Sequence, residues 1–96
     1  MRKYEIMFIV RPDLEEAAIK EVANKMGEML KSKATNVLEV KEMGQRDLAY
    51  EINKYHKGYY FLFVCEAAND EGIKEFDRLA LISEDVIRHL IVRVEK

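Results

Sequence analysis

Residues 42–65 read Glu-Met-Gly-Gln-Arg-Asp-Leu-Ala-Tyr-Glu-Ile-Asn-Lys-Tyr-His-Lys-Gly-Tyr-Tyr-Phe-Leu-Phe-Val-Cys, and the fold is decided here. In the first arm Leu48, Tyr50 and Ile52 alternate with Asp47, Ala49, Glu51 and Asn53. A period of two marks a strand with one face covered and one in water, so this arm reads as an exposed edge. The second arm, Tyr59 to Cys65, is seven consecutive apolar or aromatic residues without alternation. Such a run fits a central strand covered on both faces. Between the arms, Asn53-Lys54-Tyr55-His56-Lys57-Gly58 carries two lysines, no acid and a closing glycine. The expected hairpin bend is therefore locally positive.

Upstream, Tyr4 to Val10 is largely apolar on both faces, with Glu5 beside Met7 and Ile9 on one of them, and predicts a second central strand, ended by Arg11-Pro12. Asp13 is expected to cap a helix, with Glu15 and Glu16 in the turn where the helix dipole favours negative charge. The spacing of Ile19, Val22, Ala23, Met26, Met29 and Leu30 predicts that this helix reaches about Lys31 with one apolar face. Val37 begins a strand that continues through Gly44 into the alternating arm, and a glycine inside a strand predicts a bulge or bend. Downstream, Asn69-Asp70-Glu71 opens a second helix with Ile73, Phe76, Leu79 and Ala80 buried, and Ser83-Glu84-Asp85 ends it. Val86 to Val94 is the last strand. The order βαββαβ with right-handed crossovers predicts one α+β, ferredoxin-like domain over residues 1–96. It has a four-stranded antiparallel sheet, two helices on one face, the other face open, and the first and third strands in the middle.

At 49% hydrophobic and 35% charged, 96 residues are enough for one core without a metal or disulfide. The net charge of −2 argues against an autonomous, tight RNA binder, so any polyanion must meet a local patch. The lone Cys65, beside Glu66, reads as a structural thiol. The opening Met-Arg-Lys-Tyr-Glu-Ile sets an acid before an apolar run too short for a signal peptide, and no stretch approaches the roughly 18 apolar residues of a membrane span. A cytoplasmic protein is expected.

Catalysis finds little support. His56 and His89 have no serine or cysteine nucleophile in a recognisable local arrangement, and no paired Cys or His has metal-ligand spacing. Where small phosphatases of this fold need a glycine-rich anion loop, this chain has Arg11-Pro12-Asp13. No enzyme activity, cofactor, metal or small-molecule substrate is expected.

The third strand raises a sharper question. Tyr59, Phe61 and Phe63 share one face, expected to be the open one, and aromatics on an open sheet can stack unpaired bases. Lys57 to Phe63 resembles the RNP1 box of RNA-recognition motifs, although Tyr60 stands where that box has a small residue and the first strand has no second box. One reading is an autonomous single-stranded RNA-binding module. The other is packing or a protein-docking surface, since exposed apolar patches mark protein interfaces more often than base platforms.

Gly44-Gln45-Arg46-Asp47-Leu48-Ala49-Tyr50-Glu51-Ile52-Asn53 resembles the signature of the bacterial small-subunit ribosomal protein S-six (S6) family. That pattern is glycine, any residue, a basic residue, a polar one, leucine, alanine or serine, tyrosine, any residue, isoleucine, and a small polar or basic residue. Met-Arg-Lys-Tyr-Glu at the start, Arg-Pro-Asp after the first strand, Lys-Gly-Tyr-Tyr opening the third and Val-Ile-Arg-His-Leu in the fourth are similar in position too. Asp47 and Glu51 depart from commoner basic and proline residues and lower the local positive charge.

The resemblance implies a structural role, in which the protein pairs with ribosomal protein S-eighteen (S18) and helps it bind the central domain of small-subunit ribosomal RNA during assembly. A basic partner would supply the phosphate neutralisation that a chain of charge −2 lacks. On that basis Arg2, Lys3, Arg46, Lys54 and Lys57 are expected to meet the RNA backbone. Arg46 leads them, because a planar guanidinium grips phosphate bidentately. Leu48 and Tyr50 of the hairpin, with Tyr59 and Phe61 on the open face, are expected to dock the partner.

Overall fold

A computed structural model of the chain describes residues 2–94; Met1, Glu95 and Lys96, the ends of the expected 1–96 domain, lie outside the described residues. The elements run β1 (Arg2–Val10), α1 (Glu16–Ser32), β2 (Asn36–Ile52), β3 (Tyr55–Ala67), α2 (Glu71–Ile82) and β4 (Val86–Val94). The strands form one sheet in the order β2-β3-β1-β4, every neighbouring pair antiparallel. The two predominantly apolar segments are thus the two central strands, and the alternating arm lies on an edge, as their patterns require.

Side chains at paired positions share a face of a sheet. Phe8 pairs with Phe61 on one side and His89 on the other, and it touches Phe76 of α2 at 5.6 Å between ring centres, so this register row faces the helices. Around Phe8 the Phe61 ring stacks at 5.2 Å and Phe63 meets it edge-on at 5.1 Å. Ile19, Ala23, Met26 and Leu30 close the core from α1, and Ile73, Phe76 and Ala80 from α2. Val22, Met29 and Leu79 of the expected stripes pack at its margin.

The β2–β3 hairpin is longer and tighter than the sequence predicts. β3 begins at Tyr55, leaving only Asn53 and Lys54 as the turn, with φ of 50° and 70°. A two-residue turn with both φ positive matches the twist of the flanking strands. Gly44 sits at a register shift between Glu42 and Gly44 with φ of 82°, the bulge its glycine predicts. A further shift lies between Asp47 and Ile52, where β2 carries more residues than the β3 segment opposite.

Asp13 does not cap α1. The cap position is Glu15, without a side-chain hydrogen bond to the helix. Asp13 instead lies 3.7 Å from the Arg11 guanidinium and accepts a hydrogen bond from the Tyr55 hydroxyl at 3.4 Å. Arg11 also donates to Asp85 at 3.1 Å, which ties the end of β1 to the start of β4, while Asp13 and Tyr55 bring in the turn end of the hairpin. Its pKa is raised, first by the Tyr55 hydroxyl and then by Asp13 and Asp85, against some desolvation. At the second helix the cap position, Asp70, makes no side-chain hydrogen bond to the helix, but the preceding Asn69 accepts from the Glu71 amide at 3.0 Å, within the expected Asn69-Asp70-Glu71 signal.

Candidate functional site

With both helices on one side, the other side of the sheet carries the alternate register rows. Ile9 pairs with Tyr60 and Arg88, and Met7 with Leu62 and Leu90. This open face is largely apolar along its middle, with the exposed Glu5 between Val64 and Val92. Met7, Tyr60, Leu62 and Val64 are half-buried, while Leu90 is 54% and Val92 43% exposed. A contiguous patch of this kind on a small protein marks an interaction surface.

The third-strand aromatics are not part of it. Phe61 and Phe63 are each 1% exposed, and the half-buried Tyr59 tilts against Phe61 at 5.2 Å on the helix side. Their expected exposure to a base or a partner is corrected, because an unbroken apolar run fits either facing and the helices settled on the odd residues. The aromatic on the open face is Tyr60, the residue that departs from the RNP1-like pattern. An autonomous RNA module built on these aromatics therefore lacks its platform on the open face, since Phe61 and Phe63 are buried and Tyr59 lies on the helix side.

Leu48 and Tyr50 separate in role. Leu48 is half-buried over Gly58, where an added Cβ would run into Ile9 and lie in ordinary contact with Leu48 and Ile87. Glycine at 58 accommodates the close approach of Ile9, and the half-buried Leu48 in contact with this position rests the hairpin arm on the sheet. Tyr50 is 60% exposed, with the Arg88 guanidinium 5.6 Å from its ring centre. Arg88 was not among the expected site residues. Only the register places it at the hairpin end of the open face.

The basic residues fall into two groups. Lys54 occupies the turn, Lys57 pairs with Asp47, and Arg46 pairs with Gly58 on the open face. Arg46 Nε donates to the Met43 carbonyl at 3.2 Å, which holds an exposed guanidinium beside the Gly44 bulge. Lys3 pairs with Glu66 at the far end of β3, and Arg2 with Ala67. Lys57 and Glu66 are nine residue steps apart along β3, about 30 Å at roughly 3.4 Å per residue, so the expected set is two patches rather than one.

Cys65 is fully buried, and burial pushes its thiol up to about 11, the behaviour of an inert structural cysteine. His89 lies on the helix side, its Nε2 2.7 Å from Asp77 and its ring against Phe76. His56 is exposed beside Glu51 at 3.2 Å. Among the described residues no helix is long and apolar enough to cross a membrane.

The chain is similar to known proteins along its length. The family model described as Ribosomal protein S6 matches residues 3–93. The crystal structure of 30S ribosomal protein S6 from Thermotoga maritima superposes with a TM-score of 0.92 at 24% identity, covering 97% of this chain and 87% of that one. The solution structure of the C-terminal domain of the MgtC protein from Mycobacterium tuberculosis superposes at 0.64 with 11% identity, covering 99% of this chain and 89% of that one. A protein from Arabidopsis thaliana gives 0.57 at 10% identity, covering 100% and 95%. At these identities the three structures share the fold.

Proposed function

Since this chain belongs to the ribosomal protein S6 family, we propose that it is a structural, non-catalytic component of the small ribosomal subunit in the cytoplasm. It binds the central domain of small-subunit ribosomal RNA together with ribosomal protein S18. The observation that carries this reading is a mismatch between surface and charge. The open face is an apolar interface, whereas the chain as a whole is −2, so it is equipped to dock a protein and poorly equipped to hold RNA alone.

S18 docks on the open face through Met7, Tyr60, Leu62, Leu90 and Val92. RNA meets the hairpin end through Arg46, Lys54 and Lys57. Arg2 and Lys3, some 30 Å away along β3, serve a separate backbone contact. Pairing with a basic partner adds the phosphate neutralisation this chain lacks, since each neutralised phosphate contributes roughly one unit to the logarithmic salt slope.

The test is a titration of a central-domain ribosomal RNA fragment, and of unstructured oligonucleotides, with this protein, with S18, and with both. Tight binding to the fragment only when both proteins are present is the expected result. Equally tight binding of this protein alone to unstructured oligonucleotides would refute the reading.

A further inference from the structure

Two planar groups meet at the hairpin end of the open face, and the sequence holds them far apart. Tyr50 is on edge strand β2, and Arg88 is on the opposite edge strand, β4. The shifted register between Asp47 and Ile52 lets the hairpin arm lean back across the sheet, and Leu48 fastens it over Gly58. The result sets the Arg88 guanidinium 5.6 Å from the centre of the Tyr50 ring.

This contact contributes little to holding the fold. An exposed cation–π pair is worth only about 0.5–1 kcal/mol, and the arm is already anchored by Leu48. Tyr50 remains 60% exposed, and Arg88 is exposed as well, so planar surface of both groups still faces water. Next to Arg88, Met7, Ile9 and Leu90 line a depression of about 170 Å³. Arg46 shares the face, two β3 positions along from Tyr60, which pairs with Ile9. An exposed aromatic, a guanidinium plane over it, an apolar hollow and a second arginine together match the requirements of an unpaired nucleotide. Bases stack on aromatic rings and on arginine planes, while a phosphate takes a bidentate arginine.

We propose that Tyr50 and Arg88 form a stacking site for one unpaired RNA base, whose phosphate is met by Arg46. The proposal rests on the ribosomal RNA reading above. It assigns Tyr50 to RNA rather than to the protein partner.

The experiment measures the ternary complex of this protein, S18 and a central-domain ribosomal RNA fragment, using fragments that carry a single abasic site at each unpaired position in turn. With the unaltered protein, one abasic site weakens the complex by about five- to a hundred-fold, the range for stacking on an aromatic side chain. Tyr50→Leu produces the same loss on the intact fragment and no further loss on that abasic fragment, and Tyr50→Phe binds as the unaltered protein does. Binding of S18 without RNA is unchanged by Tyr50→Leu. A ternary complex indifferent to Tyr50→Leu refutes the stacking site alone, as does a loss of S18 binding in the absence of RNA. Failure of the unaltered protein to form any ternary complex refutes the assembly reading and the stacking site together.

Discussion

Phe61 and Tyr60 are adjacent in β3 and point to opposite sides of the sheet, so truncating each in turn tests the assignment of faces directly. Phe61 is 1% exposed and packs between Phe8 and Tyr59, each at 5.2 Å between ring centres. Removing a fully buried phenylalanine ring costs about 3–5 kcal/mol through lost burial and the cavity left behind. Against a typical domain stability of roughly 5–15 kcal/mol, the variant still folds in the cold but is severely weakened. With a urea dependence near 2 kcal/mol per molar, Phe61→Ala lowers the unfolding midpoint by about 2 M.

Tyr60 is half-buried under no helix, and half of the roughly 1.5–3 kcal/mol for a fully buried side chain gives about 1 kcal/mol. Tyr60→Ala therefore shifts the midpoint by roughly 0.5 M. Its larger effect falls on S18 binding, where it removes an aromatic from the centre of the proposed interface. Urea titrations followed by far-UV circular dichroism, with S18 binding measured in parallel at low temperature, give both quantities. A Phe61→Ala midpoint within roughly 0.5 M of the unaltered protein, or a Tyr60→Ala loss larger than that of Phe61→Ala, overturns the facing of β3 and the docking surface built on it.

Three further outcomes are expected. Arg46→Ala leaves the urea midpoint unchanged and weakens the ternary RNA complex, with the salt slope reduced by roughly one unit; an unchanged affinity at every salt concentration removes Arg46 from the phosphate contacts. Cys65 resists alkylation in the folded protein and reacts on unfolding. Because its folded pKa of about 11 lies above the ordinary 9.0, the associated stability is fully present below pH 9 and is lost as pH rises to 11, an effect on the order of 2–3 kcal/mol that Cys65→Ala abolishes and that urea titrations across this range detect. Gly58→Ala destabilises by about 1–3 kcal/mol because its Cβ would collide with Ile9, whereas Gly44→Ala meets open space and costs only about 1 kcal/mol for its φ of 82°, a difference that parallel melts resolve.

Local pattern determined a large part of this protein. The order of elements, the central place of the two most apolar strands, the bulge at Gly44, the second helix with its Asn69 signal and the bounds of β4 all follow from short-range rules. Apolar periodicity, turn chemistry and glycine conformation act within a few residues, and a sequence displays them directly. The decamer from Gly44 to Asn53 carried the family as well.

The facing of β3 was different. An unbroken apolar run buries well in either orientation, so nothing between Tyr59 and Cys65 distinguishes Phe61 inside from Phe61 outside. The choice belongs to long-range register, in which Phe8, Phe61 and Phe76 meet only when three distant elements assemble. The same holds for the distribution of charge. Arg2, Lys3, Arg46, Lys54 and Lys57 look equivalent along the chain, but pairing places the first two at one end of the sheet and the others at the opposite end. Arg88 over Tyr50, Leu48 over Gly58 and Asp13 against Tyr55 are likewise contacts between residues remote in sequence. Sequence alone specified which segments are strands and helices and which family they build; only tertiary packing decided which side of each strand meets a partner, because a side chain's facing depends on what lies across the sheet from it.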